Sequence, residues 1–351
     1  MKRVAKFNTY YFTVVFSLFL THPECVSAQS GGGTGYANRI GNNPIGLSMG
    51  NSLSAWTDLE TSSLYNPALA TVNQNGVNIH PSTSLMSFDR SLHSLEVGFP
   101  LPPSASLSLT LQHFSVSGID GRTPSGYPSG TLRTSDFQIA GAFGLSISEQ
   151  LSIGIGIKWN RADYHQDISA VNTVGLDMGL LYKLSSIVTF SLVAQDLFAS
   201  YSWDTGPLYG IEQGQSDKQP FGKRYKAGSH IKIREDFDIT SEVELRSQRF
   251  TRSTYVLISD FGEPFLRESK VDEVNTSMHF RQGIAWEYHP RFTWRAGLET
   301  TDLRLEPEIF WSTGFSVYPP NLSFNSGIHY AYRNEPGKGS SIHSVSVTFS
   351  F

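Results

Sequence analysis

The chain ends Ser-Val-Ser-Val-Thr-Phe-Ser-Phe, eight residues in which polar and apolar side chains alternate without a fault. Extended backbone sends Val345, Val347, Phe349 and Phe351 to one face and Ser344, Ser346, Thr348 and Ser350 to the other. Left open, such a strand would template aggregation along its free edge. A closed barrel in a membrane removes that edge, giving the apolar face to lipid and the other to a polar lumen. The tail therefore predicts the closing strand and assembly signal of a transmembrane antiparallel β-barrel.

The same period recurs upstream. Leu151, Ile153, Ile155, Ile157 and Trp159 alternate with Ser152, Gly154, Gly156, Lys158 and Asn160. Val174, Leu176, Met178, Leu180 and Tyr182 oppose Gly175, Asp177 and Gly179; Phe292, Trp294, Ala296 and Leu298 oppose Arg295 and Glu299. Charge decides which face is which. Lys158, Asp177, Arg281, Glu287, Arg295 and Glu299 all oppose apolar residues, and a basic side chain facing lipid near the midplane costs about 2–4 kcal/mol. These six are expected to form a polar network in the lumen. Four of the six tryptophans, Trp159, Trp286, Trp294 and Trp311, fall on the apolar faces, as an interfacial aromatic girdle requires.

The N-terminus reads as a secretory signal. Lys2, Arg3 and Lys6 precede an apolar run from Tyr10 to Leu20, and Val26-Ser27-Ala28 offers small residues for cleavage before Gln29. Cys25 lies within the part removed, and His22 stands where a lipoprotein signal would have leucine, so the mature chain carries no thiol. The expected organisation is a signal peptide over 1–28, an N-terminal extension and lumenal plug over 29–75, and an all-β outer-membrane barrel over 76–351. The barrel region holds about 14 strands at roughly 20 residues per strand and connection. Three turn-rich stretches, Ser117–Arg133, Ser200–Gln219 and Leu257–Asn275, read as extracellular loops, the last with room for a strand of its own. Without the signal's three cations and Glu24 the formal charge moves from −4 to −6, which argues against nucleic acid as a partner. The ten histidines show no metal-binding spacing, and no catalytic constellation stands out. No metal, cofactor or enzymatic activity is expected.

Within the plug segment, Gly46, Met49, Gly50, Ala55 and Asp58 lead to Tyr65-Asn66-Pro67-Ala68. Small residues let a backbone pack inside a lumen, and Asn66-Pro67 forces a turn. This spacing resembles the plug signature of FadL-like transporters and of the PorV/PorQ family, although Leu69 stands where a glycine often follows. Further along, Ser152-Ile-Gly-Ile-Gly-Ile-Lys158, Leu176-Asp-Met-Gly-Leu-Leu-Tyr182, Gly283-Ile-Ala-Trp-Glu-Tyr288 and Trp294-Arg-Ala-Gly297 are similar, in order, to PorV/PorQ segments. The resemblance implies a 14-stranded FadL-like barrel in the bacterial outer membrane that works in type IX secretion or surface attachment. Its implied partners are membrane lipid, the barrel assembly machinery, a secretion translocon, secreted substrate proteins or a surface protein. The plug signature alone equally implies a FadL-like channel for hydrophobic small molecules, and a purely structural barrel is a third reading.

Phe351→Ala is expected to lower the amount of heat-resistant folded barrel in the outer membrane. Normal levels on a heat-modifiability gel would refute the assembly-signal reading.

Overall fold

A computed structural model describes residues 34–351 apart from 36–38, 59, 124, 205, 207–215, 261, 262, 306, 321–324 and 336–338. The signal segment and the Gly31–Gly33 opening lie outside the described residues, as do Leu322 and Phe324, which read from sequence as part of an alternating segment.

The N-terminal segment carries a short helix, α1 (Pro44–Ser48), and a 3-10 helix (Pro67–Asn75). Both start in the same way. Asn43 caps α1 by accepting the amide of Gly46 at 2.8 Å, Asn66 caps the 3-10 helix by accepting that of Ala68 at 3.0 Å, and a proline follows each cap. Proline fits there because its missing N–H would have had no helical partner. From residue 78 onward the chain is almost continuous strand. The first half runs β1 (Asn78–Met86), β2 (Arg90–Leu101), β3 (Ala105–Arg122), β4 (Pro128–Ser146), β5 (Leu151–Asp163), β6 (Val171–Lys183), β7 (Val188–Leu197) and β8 (Ser200–Asp204). The second half runs β9 (Ser216–Pro220), β10 (Lys223–Arg234), β11 (Phe237–Asp260), β12 (Glu263–His289), β13 (Phe292–Thr300), β14 (Ile309–Val317), β15 (Asn325–Asn334) and β16 (Ser341–Ser350).

Fourteen of these close an antiparallel barrel in which β1 pairs with β16 and β7 pairs directly with β10. The remaining two, β8 and β9, form a separate hairpin between β7 and β10. Closure reaches the last residue: the Phe351 amide donates to the Val77 carbonyl at 3.0 Å, and the Val77 amide donates to the Phe351 carbonyl at 3.2 Å. The short turns and the chain end share one rim, the periplasmic one by the rule for such barrels, and the longer hairpins rise from the other.

Two of the three expected loops are strand instead. Ile119, Asp120 and Gly121 continue β3 against Leu132, Thr131 and Gly130 of β4, and β11 pairs with β12 as far as Asp260 and Glu263. Above the lipid neither face needs to be apolar, so the period-two signal vanishes while the backbone ladder goes on. The third, Ser200–Gln219, holds the β8–β9 hairpin.

Burial is inverted relative to a water-soluble domain. On β5, Ile155 and Ile157 are 50% and 57% exposed, while Lys158 beside them is 3% exposed. The apolar face is turned to lipid, and the polar face is covered by the plug. The plug's own apolar residues, Ile45, Met49, Leu53, Trp56, Tyr65, Ala68 and Leu69, gather into a small core that touches the wall at Leu181 and Ala285. Elsewhere plug backbone, and at one point the Asn66 side chain, lies directly on wall glycines. A Cβ at Gly154 of β5 would fall on the Pro67–Ala68 peptide, one at Gly179 of β6 on Asn66 Oδ1, and one at Gly297 of β13 on the Gly50 amide. Gly50 itself has a φ of +62° and lies against the Leu298 carbonyl.

Gly154→Val is expected to lift Pro67–Ala68 off the wall. At the usual overpacking cost of about 1–3 kcal/mol, the plug should open to protease about tenfold more often. A heat-resistant barrel with unchanged plug cleavage would contradict that contact.

Candidate functional site

The lumen is where the chain concentrates its charge, and every charged group there has its position set by a strand or by the plug. Lys158 on β5 reaches Asp177 on β6 at 2.6 Å and Asp196 at 3.3 Å. Asp196 also accepts Arg224 Nε of β10 at 2.8 Å. Asp196 can turn inward because the β6–β7 register slips here: Met178 pairs with Ala194, but the next pair is Leu176 with Leu197. The extra residue bulges into the lumen with a φ of +59°, and its amide donates to Asp177 Oδ1 at 2.9 Å. Gln195, also in the bulge, donates to the Leu64 carbonyl of the plug at 2.7 Å.

A second cluster continues around the wall. Arg281 of β12 bonds Glu242 and Glu244 of β11 through Nη1 at 2.8 and 3.0 Å, and Glu299 of β13 through Nε at 2.9 Å. Lys226 of β10 stands 3.8 and 4.0 Å from the same two β11 carboxylates, Arg246 reaches Glu244 at 2.7 Å, and Arg333 of β15 reaches Glu299 at 2.9 Å. The plug ties in twice, with the Ser54 amide on Glu242 and Asn51 Nδ2 on Glu299, both at 3.3 Å. Buried charges need such company, since an uncompensated one costs several kcal/mol.

Toward the periplasmic rim, Glu60 of the plug accepts the Tyr318 hydroxyl at 2.9 Å and pairs with Arg295 at 3.3 Å. Burial, with Asp58 adding, pushes the Glu60 carboxyl up to about 7, against the pull of Arg295 and Tyr318. Across the lumen, Glu96 of β2 accepts both the amide and the hydroxyl of Ser63, each at 2.9 Å.

Of the six lumen residues expected from sequence, Lys158 and Asp177 meet, and Arg281 and Glu299 meet. Arg295 is buried; its ion pair is with the plug's Glu60, while its Nη1 donates to the Ser316 hydroxyl of the neighbouring β14. Glu287 stands apart: it shares their face of β12 but sits exposed beside the β12–β13 turn, with no ion pair among the described residues. In the plug, Gly46 packs under the Tyr65 ring, Asn66 links Ser54 and Leu180 through its amide at 2.9 and 3.3 Å, and Asp58 lies in an exposed turn. In the closing strand, Val345 is exposed on the outer face and Val347 and Phe349 share that face.

Sequence reading missed Asp196, Arg224, Lys226, Glu242 and Glu244. A signal existed in Arg224-Tyr-Lys226 and Glu242-Val-Glu244, like charges two apart with an apolar residue between. That is the mark of one strand face turned to a polar interior. For Asp196 there was none, because the bulge shifts it off the period.

A cavity lies between plug and wall beside Tyr65 and Arg281, with water-sized room of about 30 Å³. Nearer the extracellular rim, a cavity of about 10 Å³ touches Leu92, Phe114, Phe137 and Tyr201. Tyr201 belongs to an aromatic group with Phe221, Trp203 and Tyr164: ring centroids stand 4.9 Å apart for Tyr201–Phe221, 5.7 Å for Tyr201–Trp203 and 5.1 Å for the stacked Tyr164–Trp203 pair. This group sits where the β8–β9 hairpin meets β6. There the Ser200 amide bonds the Thr173 hydroxyl at 3.0 Å, and among the described residues no ladder pairing joins 171–175 of β6 to β7 or β8.

Arg281→Met would leave Glu242, Glu244 and Glu299 facing one another without their shared cation. The expected cost is about 3–5 kcal/mol, read from the urea midpoint of the detergent-solubilised barrel. A loss below about 1 kcal/mol would place the cluster with surface ion pairs.

No protein-family model matches the sequence, and no curated relative does. Solved structures do. A monoaromatic hydrocarbon channel, CymD, aligns with a TM-score of 0.60 at 14% identity over 89% of this chain and 98% of its own. The Pseudomonas putida toluene transporter TodX aligns with a TM-score of 0.60 at 11% identity over 88% and 98%. A Pseudomonas aeruginosa FadL homologue aligns with 0.59 at 10% over the same shares. Likeness at such identities carries the fold, and the closed 14-strand barrel agrees with it: the chain is a bacterial outer-membrane barrel of FadL-like fold.

Proposed function

We propose that this barrel is an outer-membrane channel for a hydrophobic small molecule of aromatic size, without chemistry of its own. The observation that carries this reading is the aromatic group Tyr164, Trp203, Tyr201 and Phe221 beside the stretch of β6 that pairs with β5 but has no ladder partner on its β7 side among the described residues. Apolar ligands bind in concave, largely apolar sites with a few polar groups. This corner combines ring faces with an interruption in an otherwise hydrogen-bonded wall. The solved neighbours named as a monoaromatic hydrocarbon channel and a toluene transporter support the same reading at the level of fold. The remainder of the lumen is polar and filled, so a ligand passing this corner leaves sideways or waits on movement of the plug.

A second reading, a PorV/PorQ-like role in type IX secretion or surface attachment through protein contacts, is favoured by one specific observation. The glycine motifs that carry that resemblance, Gly154 and Gly179, are the ones pressed against Asn66–Pro67–Ala68. The β11–β12 hairpin, paired out to Asp260 and Glu263, offers a reach for partners on the cell surface.

One pair of measurements separates them. A deletion strain should take up toluene or a long-chain fatty acid more slowly, and Trp203→Ala should reproduce part of that loss. Unchanged uptake together with co-purification of secretion or surface proteins would overturn the channel in favour of the second reading.

A further inference from the structure

We propose that the seam between plug and wall holds a compact oxyanion, such as inorganic phosphate, in the cavity between Tyr65 and the β5, β10 and β12 strands. Five cations line that cavity, Arg39, Lys158, Arg224, Lys226 and Arg281, and no carboxylate does. The remaining lining groups include the side-chain amides of Gln112 and Gln138, which can donate to an anion.

The charge around the cavity does not balance. The carboxylates paired with these cations are Asp177, Asp196, Glu242, Glu244 and Glu299, and all five are already engaged by Lys158, Arg224, Lys226 and Arg281. Arg246 and Arg333 draw on Glu244 and Glu299 as well. Six cations therefore share five carboxylates within the described residues, and Arg39 makes a seventh cation beside them. Arg39, on the plug, is the one without an ion pair: its Nη2 bonds the Thr34 carbonyl at 3.1 Å, while its Nε is buried with no hydrogen-bond partner. Burial, then Arg246 and Arg224, push the Arg39 guanidinium down to about 9. A guanidinium so placed is short of an anion, and its fork is suited to two oxygens of one group.

Size agrees with a small occupant. The cavity has water-sized room of about 30 Å³, enough to admit a small polar occupant. The lining of cations and side-chain amides suits a compact anion and not a hydrocarbon. Bound there, it would join Arg39 of the plug to Lys158 and Arg224 of the wall and so hold the plug's leading segment in place. The site is separate from the aromatic corner and does not depend on what that corner carries.

The test is equilibrium dialysis of radiolabelled inorganic phosphate against the full mature barrel in a non-ionic detergent, at constant ionic strength. Saturable binding of one phosphate per barrel is expected, with Arg39→Gln weakening it about tenfold or more and Arg39→Lys weakening it less. Arg304→Gln, which removes a surface pair with Asp302, should leave it unchanged. Absence of saturable binding to the wild-type barrel would overturn the proposal. So would unaltered affinity in a folded Arg39→Gln barrel, or chloride competing as well as phosphate.

Discussion

Backbone laid on backbone, where the plug meets the barrel wall, is the contact on which the rest of this molecule depends. The wall has no side chain at Gly154, Gly179 and Gly297, and into those gaps go the Pro67–Ala68 peptide, the Asn66 amide and the Gly50 amide. Where the plug is seated it displaces water, and a charged group that it buries is costly unless it finds a partner. The ion pairs from Lys158 around to Arg333 follow from that displacement. They are a consequence of filling the barrel, and they in turn hold the plug through Asn51, Ser54, Glu60 and Ser63.

This order of causes separates structure from function within the lumen. A polar, filled interior is what a plugged barrel needs in order to be stable, whatever it transports or binds. The features that such packing does not require are few: the break in the wall between β6 and β7, the aromatic group where the β8–β9 hairpin joins it, and the unbalanced positive charge around Arg39. The bulge serves both sides, because the residue that leaves the ladder, Asp196, is also the one that joins Lys158 to Arg224.

Much of the barrel was legible in the chain because lipid imposes a strict rule on one face of every spanning strand. The alternation in Leu151–Trp159 and Ser344–Phe351 could be read residue by residue. Where that rule lapses, so did the reading. Above the membrane the β3–β4 and β11–β12 hairpins keep their ladders with no alternation to betray them. The candidate site was legible only in part for a related reason. Lys158, Asp177, Arg281 and Glu299 could be assigned to the lumen by face, but facing inward does not choose a partner. Arg295 found Glu60 of the plug, 235 residues away in sequence, and Glu287, exposed beside the β12–β13 turn, has no ion pair among the described residues.

The sequence by itself determined that the chain forms a sided antiparallel barrel with a plug ahead of it, since period-two alternation, lumenal charges and an Asn-Pro-Ala turn are local signals with local physical causes. Only the tertiary structure decided which strands meet across the lumen, how completely the plug fills it, and where the wall is left unpaired. Those outcomes depend on closure, which brings β1 against β16 and the plug against glycines from strands far apart in the chain. Contacts of that kind are set by shape and distance in three dimensions, and no residue spacing along the chain encodes them.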